Sequence, residues 1–270
     1  MSNLIQRTIT GIIFLIIVIG AIVLSEISFL VLFALIITGA MYEFYTLAQK
    51  KSFNPQKIYG IIIGLIVFIL SFLYVKDIFS AKIFLLLIPV FISVFIIELY
   101  RKSEYVFVDI GFTIIGIIYI AVPVSLANFI VFSENGEYSS HLLLGFLFLT
   151  WSFDTLAYVF GVSFGKHRLF ERISPKKSWE GFIGGTILSI GVAYIISLLF
   201  NELSLTHWII VSLIISVFGS YGDLVESSFK RNIDEKDSGS ILPGHGGILD
   251  RFDAVFFALP LFYVYLQFIQ

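Results

Sequence analysis

The stretch Ser227–Asp253, SSFKRNIDEKDSGSILPGHGGILDRFD, decides how this chain reads. It lies between two apolar runs, about residues 206–226 and 251–269. Each is long enough to cross a bilayer, which takes about 20 mostly apolar residues. Lys230, Arg231, Lys236 and Arg251 mingle here with Asp234, Glu235, Asp237, Asp250 and Asp253, around Pro243 and a Gly244-His245-Gly246-Gly247 turn. A connector that only joins two helices needs a few polar residues. Clustered charges of both signs on a glycine-loosened backbone suit a site that handles phosphate and a divalent metal.

Working outward, the 270 residues are 58% hydrophobic and only 13% charged, against about a quarter charged in soluble domains. A soluble chain this apolar could not cover its own surface with polar groups. The fold expected is all-α, a polytopic integral membrane protein with about nine transmembrane helices: 8–24, 27–48, 57–75, 80–99, 111–132, 141–163, 181–200, 206–226 and 251–269. Pro123 is expected to kink or split the fifth. The first reads as a retained span, because it is longer than a signal h-region and no A-x-A site follows. With no cysteine, disulfides, thiolate metal sites and cysteine nucleophiles are excluded.

Lys and Arg set the orientation. With the N-terminus in the cytoplasm, all of the 17 except Lys76 and Lys82 fall on the cytoplasmic side. Both long polar loops, 164–180 and 227–250, then face the nucleotide pool. Residues 1–105 read as N-terminal transmembrane helices and 106–270 as the catalytic transmembrane region. Glu43 and Glu98 lie near predicted cytoplasmic ends and are expected to snorkel to the interface, the alternative being a lipid access path. Gly181, Gly185, Ser189, Ala193 and Ser197 recur every four residues, a face for close helix packing within one subunit or between two.

Two regions carry the chemistry. Asp154 lies inside an apolar run, where a carboxylate is costly and is a functional candidate by default. After it come Arg168, Ser174-Pro175-Lys176-Lys177-Ser178 and Glu180. Pro175 suits a turn or a first helical position, and in the second case Lys176, Lys177 and Ser178 sit beside an anion-attracting helix N-terminus. They form either a phosphate cradle or an anchor for lipid headgroups. In the second region, Asp250 and Asp253 share a helical face at i, i+3, and Asp223 lies near the end of the eighth run. Carboxylates without Cys or His partners favour a hard cation, Mg²⁺ before Zn²⁺. His245 either donates to phosphate or completes the turn. No G-x-x-x-x-G-K-[ST] loop is present, and no Ser-His-Asp arrangement is legible.

The run Ser227-x-Phe229-Lys230-Arg231, then Lys236-Asp237-x-Gly239, then Leu242-Pro243-x-His245-Gly246-Gly247-Ile248-x-Asp250-Arg251-Phe252-Asp253 resembles the signature of the phosphatidate cytidylyltransferases, or CDP-diacylglycerol synthases. Asp154-Thr155, Ala157-Tyr158 and Ser174–Gly181 are similar to that family's other shared block, with Ser178 where Thr is commoner. The resemblance implies transfer of CMP from CTP to phosphatidic acid with Mg²⁺, in one or two cations, and a homodimer. It also implies the bacterial inner membrane, an active site on the cytoplasmic side and no nucleic-acid partner. It places Asp223, Asp250, Asp253 and Asp154 as metal candidates. Arg168, Ser174, Lys176, Lys177, Ser178, Arg231, His245, Gly246 and Gly247 become substrate-binding candidates, and Asp223, Asp250, Lys230 and Arg251 catalytic ones. The competing readings are a CTP-dependent polyprenol or phytol kinase, a cytidylyltransferase for another lipid phosphate, or a transporter whose loops bind headgroups.

Overall fold

The computed structural model describes residues 3–133, 135–239, 241, 244 and 246–269, with side chains from Thr8 onward. It is almost wholly helical: α1 Asn3–Leu24, α2 Glu26–Gln49, α3 Lys57–Val75, α4 Leu87–Leu99, α5 Val106–Gly116, α6 Val122–Val131, α7 His141–Phe164, α8 Trp179–Leu199, α9 Leu205–Ile214, α10 Ser220–Asn232 and α11 Leu249–Ile269. Among the described residues, eight helices are long and apolar enough to cross a membrane, and the apolar part of α1, Thr8–Leu24, is a shorter ninth. The expected polytopic membrane protein is what the chain folds into.

Three local features have identifiable causes. The helix beginning at Val106 runs on to Val131 without splitting, but widens into a π turn at Ile117–Ala121, where the Val122 amide donates to Ile117. Pro123 has no N–H to give the preceding turn, and the wider turn absorbs that loss. The helix after 205 continues to Asn232, so the polar loop expected over 227–250 begins only at 233. No Gly or Pro interrupts Asp223–Asn232, and Lys230 and Arg231 in the last turn complement the helix dipole. Finally, Pro175 does not open a helix. Arg168–Phe170 (β1) and Ser174–Ser178 (β2) form a small antiparallel hairpin, paired Arg168 to Ser178 and Phe170 to Ser174. Ser178 is the N-cap of α8 and accepts from the Gly181 amide at 3.1 Å. Glu180 holds the hairpin's approach by accepting from the amides of Lys166 (3.0 Å) and His167 (3.2 Å).

The chain forms two compact units, Met1–Ser139 with Ile233–Arg251, and Ser140–Asn232 with Phe252–Gln270. In the first, Tyr45 of α2 is fully buried and donates to the Thr113 carbonyl at 2.7 Å. Phe29, more than four turns earlier in α2, packs with Phe33 and Phe68 as an aromatic cluster. Glu43 and Glu98 do not snorkel. They are 3% and 1% exposed, because each finds donors inside: Ser238 and Leu249 for Glu43, Gln56 and Arg101 for Glu98.

In the second unit the α8 stripe of small residues packs on α7. A Cβ on Gly181 would stand 2.6 Å from the Ala157 carbonyl oxygen, and one on Gly185 2.8 Å from the Ala157 Cβ. The next position, Ser189, meets Ser212 of α9 at 2.8 Å. The stripe therefore serves packing within one subunit. Fully buried Trp208 against Gly145, and Phe146 stacked on Phe262 at 5.2 Å, complete this core.

Gly185→Val should force α7 and α8 apart and cost about 1–3 kcal/mol of stability, the usual range for overpacking. Gly191→Ala on the same helix, where nothing lies within 4 Å of a new Cβ, should be silent. Thermal unfolding in detergent micelles compares the two.

Candidate active site

In the second unit the charged residues gather where α10 crosses α11. The crossing is tight because position 222 has no side chain. A Cβ on Gly222 would stand 2.4 Å from the carbonyl oxygen of Asp253 and 3.1 Å from Phe257. Asp223, the next residue, is thereby brought beside Asp253. Asp253 is half-buried, and Asp223, Glu226 and Asp154 all lie near enough to act on its charge. The sequence reading placed three of these four in one set, and the fold brings them together.

Two lysines meet this cluster. Lys177 of β2 reaches Asp223 Oδ2 at 2.7 Å, while Ser227 donates to the other oxygen, Oδ1, at 3.0 Å. Lys177 also lies 3.4 Å from the Ser220 carbonyl at the start of α10. Both members of the pair are part-exposed, at 25% and 37%, so the contact is open to exchange with a ligand. Lys230 is different. It is 8% exposed and contacts Glu226, which is 1% exposed, at 2.6 Å one helical turn away. This is a buried ion pair facing the carboxylate cluster.

The other candidates of this unit differ in exposure. Arg168 and Lys176 are exposed on the hairpin, Ser174 is half-buried, and Arg231 is exposed in the last turn of α10. Ser178 is buried, with its hydroxyl committed to capping α8.

In the first unit, Asp250 closes the polar loop on itself. Its carboxylate accepts from the Ser238 amide at 3.0 Å and the Gly247 amide at 2.8 Å. Gly246, at φ +84°, lies so close that a Cβ would stand 2.6 Å from Asp250 Oδ2. Arg251 is exposed, its amide bonded to the Ile248 carbonyl at 3.0 Å. His245 lies outside the described residues.

Among the described residues, no three His, Asp or Glu side chains converge closely enough to enclose a metal ion by themselves. The donor set is nevertheless all carboxylate oxygen, the chemistry of a hard cation. Mg²⁺ commonly takes only one or two protein carboxylates and fills its remaining positions with water and substrate phosphate. The residues present fit such an ion in donor type and number.

Sequence reasoning missed Glu226 and gave Glu43 the wrong surroundings. Glu226 carried a signal, since it lies three residues after Asp223 and four before Lys230, both on one helical face. Glu43 stood out as a carboxylate in an apolar run, but nothing in the sequence shows that its donors come from residues 238 and 249.

The sequence pattern described as the Cytidylyltransferase family matches residues 5–269 of this chain. Among known proteins, it is similar to the phosphatidate cytidylyltransferases of Staphylococcus haemolyticus (strain JCSC1435), 44% identical, Staphylococcus aureus (strain COL), 44%, and Staphylococcus saprophyticus, 43%. Each match runs over 162 residues, 59% of this chain and 60% of the relative.

Lys230→Ala should leave the Glu226 carboxylate buried without its cation and cost about 3–5 kcal/mol. Replacing both at once, Lys230→Met with Glu226→Gln, removes both charges and should restore much of that loss. Unfolding midpoints of the single and double variants in detergent measure the difference.

Proposed function

This chain belongs to the cytidylyltransferase family, and on that premise we propose that it transfers CMP from CTP to phosphatidic acid, leaving CDP-diacylglycerol in the membrane and pyrophosphate in water. The observation that carries the reading is the Asp223–Asp253–Asp154–Glu226 cluster, met by Lys177, within a bundle of membrane helices. The names of the relatives fit that chemistry.

A phosphatidate oxygen attacks the α-phosphorus of CTP. A new P–O bond forms, the bond from the α-phosphorus to the bridging oxygen breaks, and pyrophosphate leaves with that electron pair. The attacking phosphate monoester is already anionic near neutral pH and needs no strong base. The protein's work is therefore positioning and neutralising charge, as in phosphoryl transfer generally. Asp223, Asp253 and Asp154 would hold Mg²⁺, as one or two ions, each ion taking one or two of these carboxylates and water or substrate phosphate for the rest, and Asp250, in the first unit, is a further carboxylate candidate. Bound there, Mg²⁺ supplies positive charge to the CTP phosphates.

Lys177 exchanges its Asp223 partner for the triphosphate as CTP arrives. Arg168 and Lys176, exposed on the hairpin, gather the nucleotide's charge from solution beside half-buried Ser174. Ser178 holds the start of α8 in place behind them. Lys230 offsets Glu226 at the cluster. Arg251 and Gly246-Gly247 of the first unit, with the sequence neighbour His245, are candidates for the phosphatidate head, and Arg231 of the second unit is a further cationic candidate. The site opens to the cytoplasm from a bacterial inner membrane. A homodimer would use a face other than the α8 stripe, which meets α7 at Gly181 and Gly185 and α9 at Ser189.

Purified full-length protein in detergent, given CTP, phosphatidic acid and Mg²⁺, should yield CDP-diacylglycerol by mass spectrometry of the lipid extract, and none after chelation. Asp223→Asn and Asp253→Asn should each lower kcat by about 10²–10³, the usual cost of losing one group that organises transition-state charge. Lys177→Ala should mainly raise the KM for CTP. A lipid product that is a phosphorylated alcohol, made from prenol and CTP, would overturn the reading in favour of a kinase.

A further inference from the structure

Glu43 has no part in the chemistry described above. It lies in the last third of α2, and Ser238 of the polar loop it contacts stands 195 positions further along the chain. It is 3% exposed, and a carboxylate taken that far from water needs donors fixed in place. Those donors come from the polar loop. Ser238 donates its hydroxyl to Glu43 Oε2 at 3.0 Å, and the Leu249 amide, at the first residue of α11, donates to the same oxygen at 2.9 Å. The Ile248 amide is a further donor. The loop is built to let the carboxylate in. A Cβ on Gly239 would stand 2.4 Å from Glu43 Oε1, and one on Gly247 2.2 Å from Glu43 Oε2.

Asp250 binds the same loop from within. Its carboxylate takes the Ser238 amide while Glu43 takes the Ser238 hydroxyl, so one serine is held by both acids. The two carboxylates are near enough to repel each other. Two like charges remain together only where shared donors outweigh the repulsion, which is a costly arrangement for a mere connector.

We propose that Glu43 is a positioning residue for the nucleotidyl transfer: it fastens Ser238 and the first turn of α11, and so fixes where Asp250 and Arg251 stand. The proposal rests on the proposed cytidylyl transfer to phosphatidate. Glu43 touches no substrate in this account and acts through the loop. Its loss should therefore appear in kcat, where misplaced groups cost rate, more than in CTP binding.

The test uses the full chain in detergent. Glu43→Gln keeps the shape but removes the charge and turns one acceptor oxygen into a donor. It should lower kcat about tenfold with the KM for CTP changed by less than about twofold. Amide hydrogen exchange over 238–250 should speed up about tenfold, with α3 unchanged, as expected for local opening. Ser238→Ala should move both readouts the same way by less. The double variant should fall short of the product of the singles, because both act through one contact.

Wild-type kcat and wild-type exchange in Glu43→Gln would overturn the proposal. So would a loss carried by KM alone, which would make Glu43 a substrate contact. If Glu43→Gln loosens α3 as well, Ser238→Ala decides: a loosened loop with full kcat overturns the proposal, and a lowered kcat upholds it. A wild-type protein that makes no CDP-lipid refutes the activity itself. An active wild type with an unaffected Glu43→Gln refutes only the role of Glu43.

Discussion

A carboxylate inside an apolar helix bundle must be met by a donor or a cation, and this chain is organised by how it meets that demand. Glu98 takes Gln56 and Arg101, Glu43 takes Ser238 and Leu249, Glu226 takes Lys230, and Asp223 takes Lys177. Leaving one such group without a partner costs several kcal/mol, a large share of the 5–15 kcal/mol that holds most domains folded. The polar contacts are therefore as much a part of the fold as the packing of Phe29, Phe68 or Trp208.

The carboxylates differ in how firmly they are held. The buried pair of Glu226 and Lys230 is closed to solvent. The pair of Asp223 and Lys177 is part-exposed, and Lys177 arrives on a hairpin strand instead of a membrane helix. That contrast separates a structural charge from one that can change partners. The absent side chain at Gly222 gives the same division a geometric basis, because it lets α10 approach α11 closely enough to set Asp223 beside Asp253.

Much of this was legible in the sequence. Runs of about 20 apolar residues locate the helices, because a membrane span admits no other reading of such a run. Asp154, Asp223 and Asp253 stood out because ionisable residues next to apolar runs are costly, and the fold does bring them together. Local hydrogen bonding was harder to read. Ser178, not Pro175, opens α8, since its hydroxyl caps Gly181 and the residues before it pair as a strand. The continuation of α10 to Asn232 was hidden by charged residues that look like loop but stabilise a final helical turn. The surroundings of Glu43 were not legible at all, because the contact joins residues 43 and 238 and no periodicity carries information over that distance.

The central claim is that the carboxylates and lysines of this protein serve attack at the α-phosphorus of CTP. The most direct measurement supplies purified protein, phosphatidic acid and Mg²⁺ with CTP labelled on the α-phosphate in one reaction and on the γ-phosphate in another. The account requires the α-label in the lipid phase and the γ-label in pyrophosphate. A γ-label in the lipid phase, with the α-label left in CDP, would contradict it.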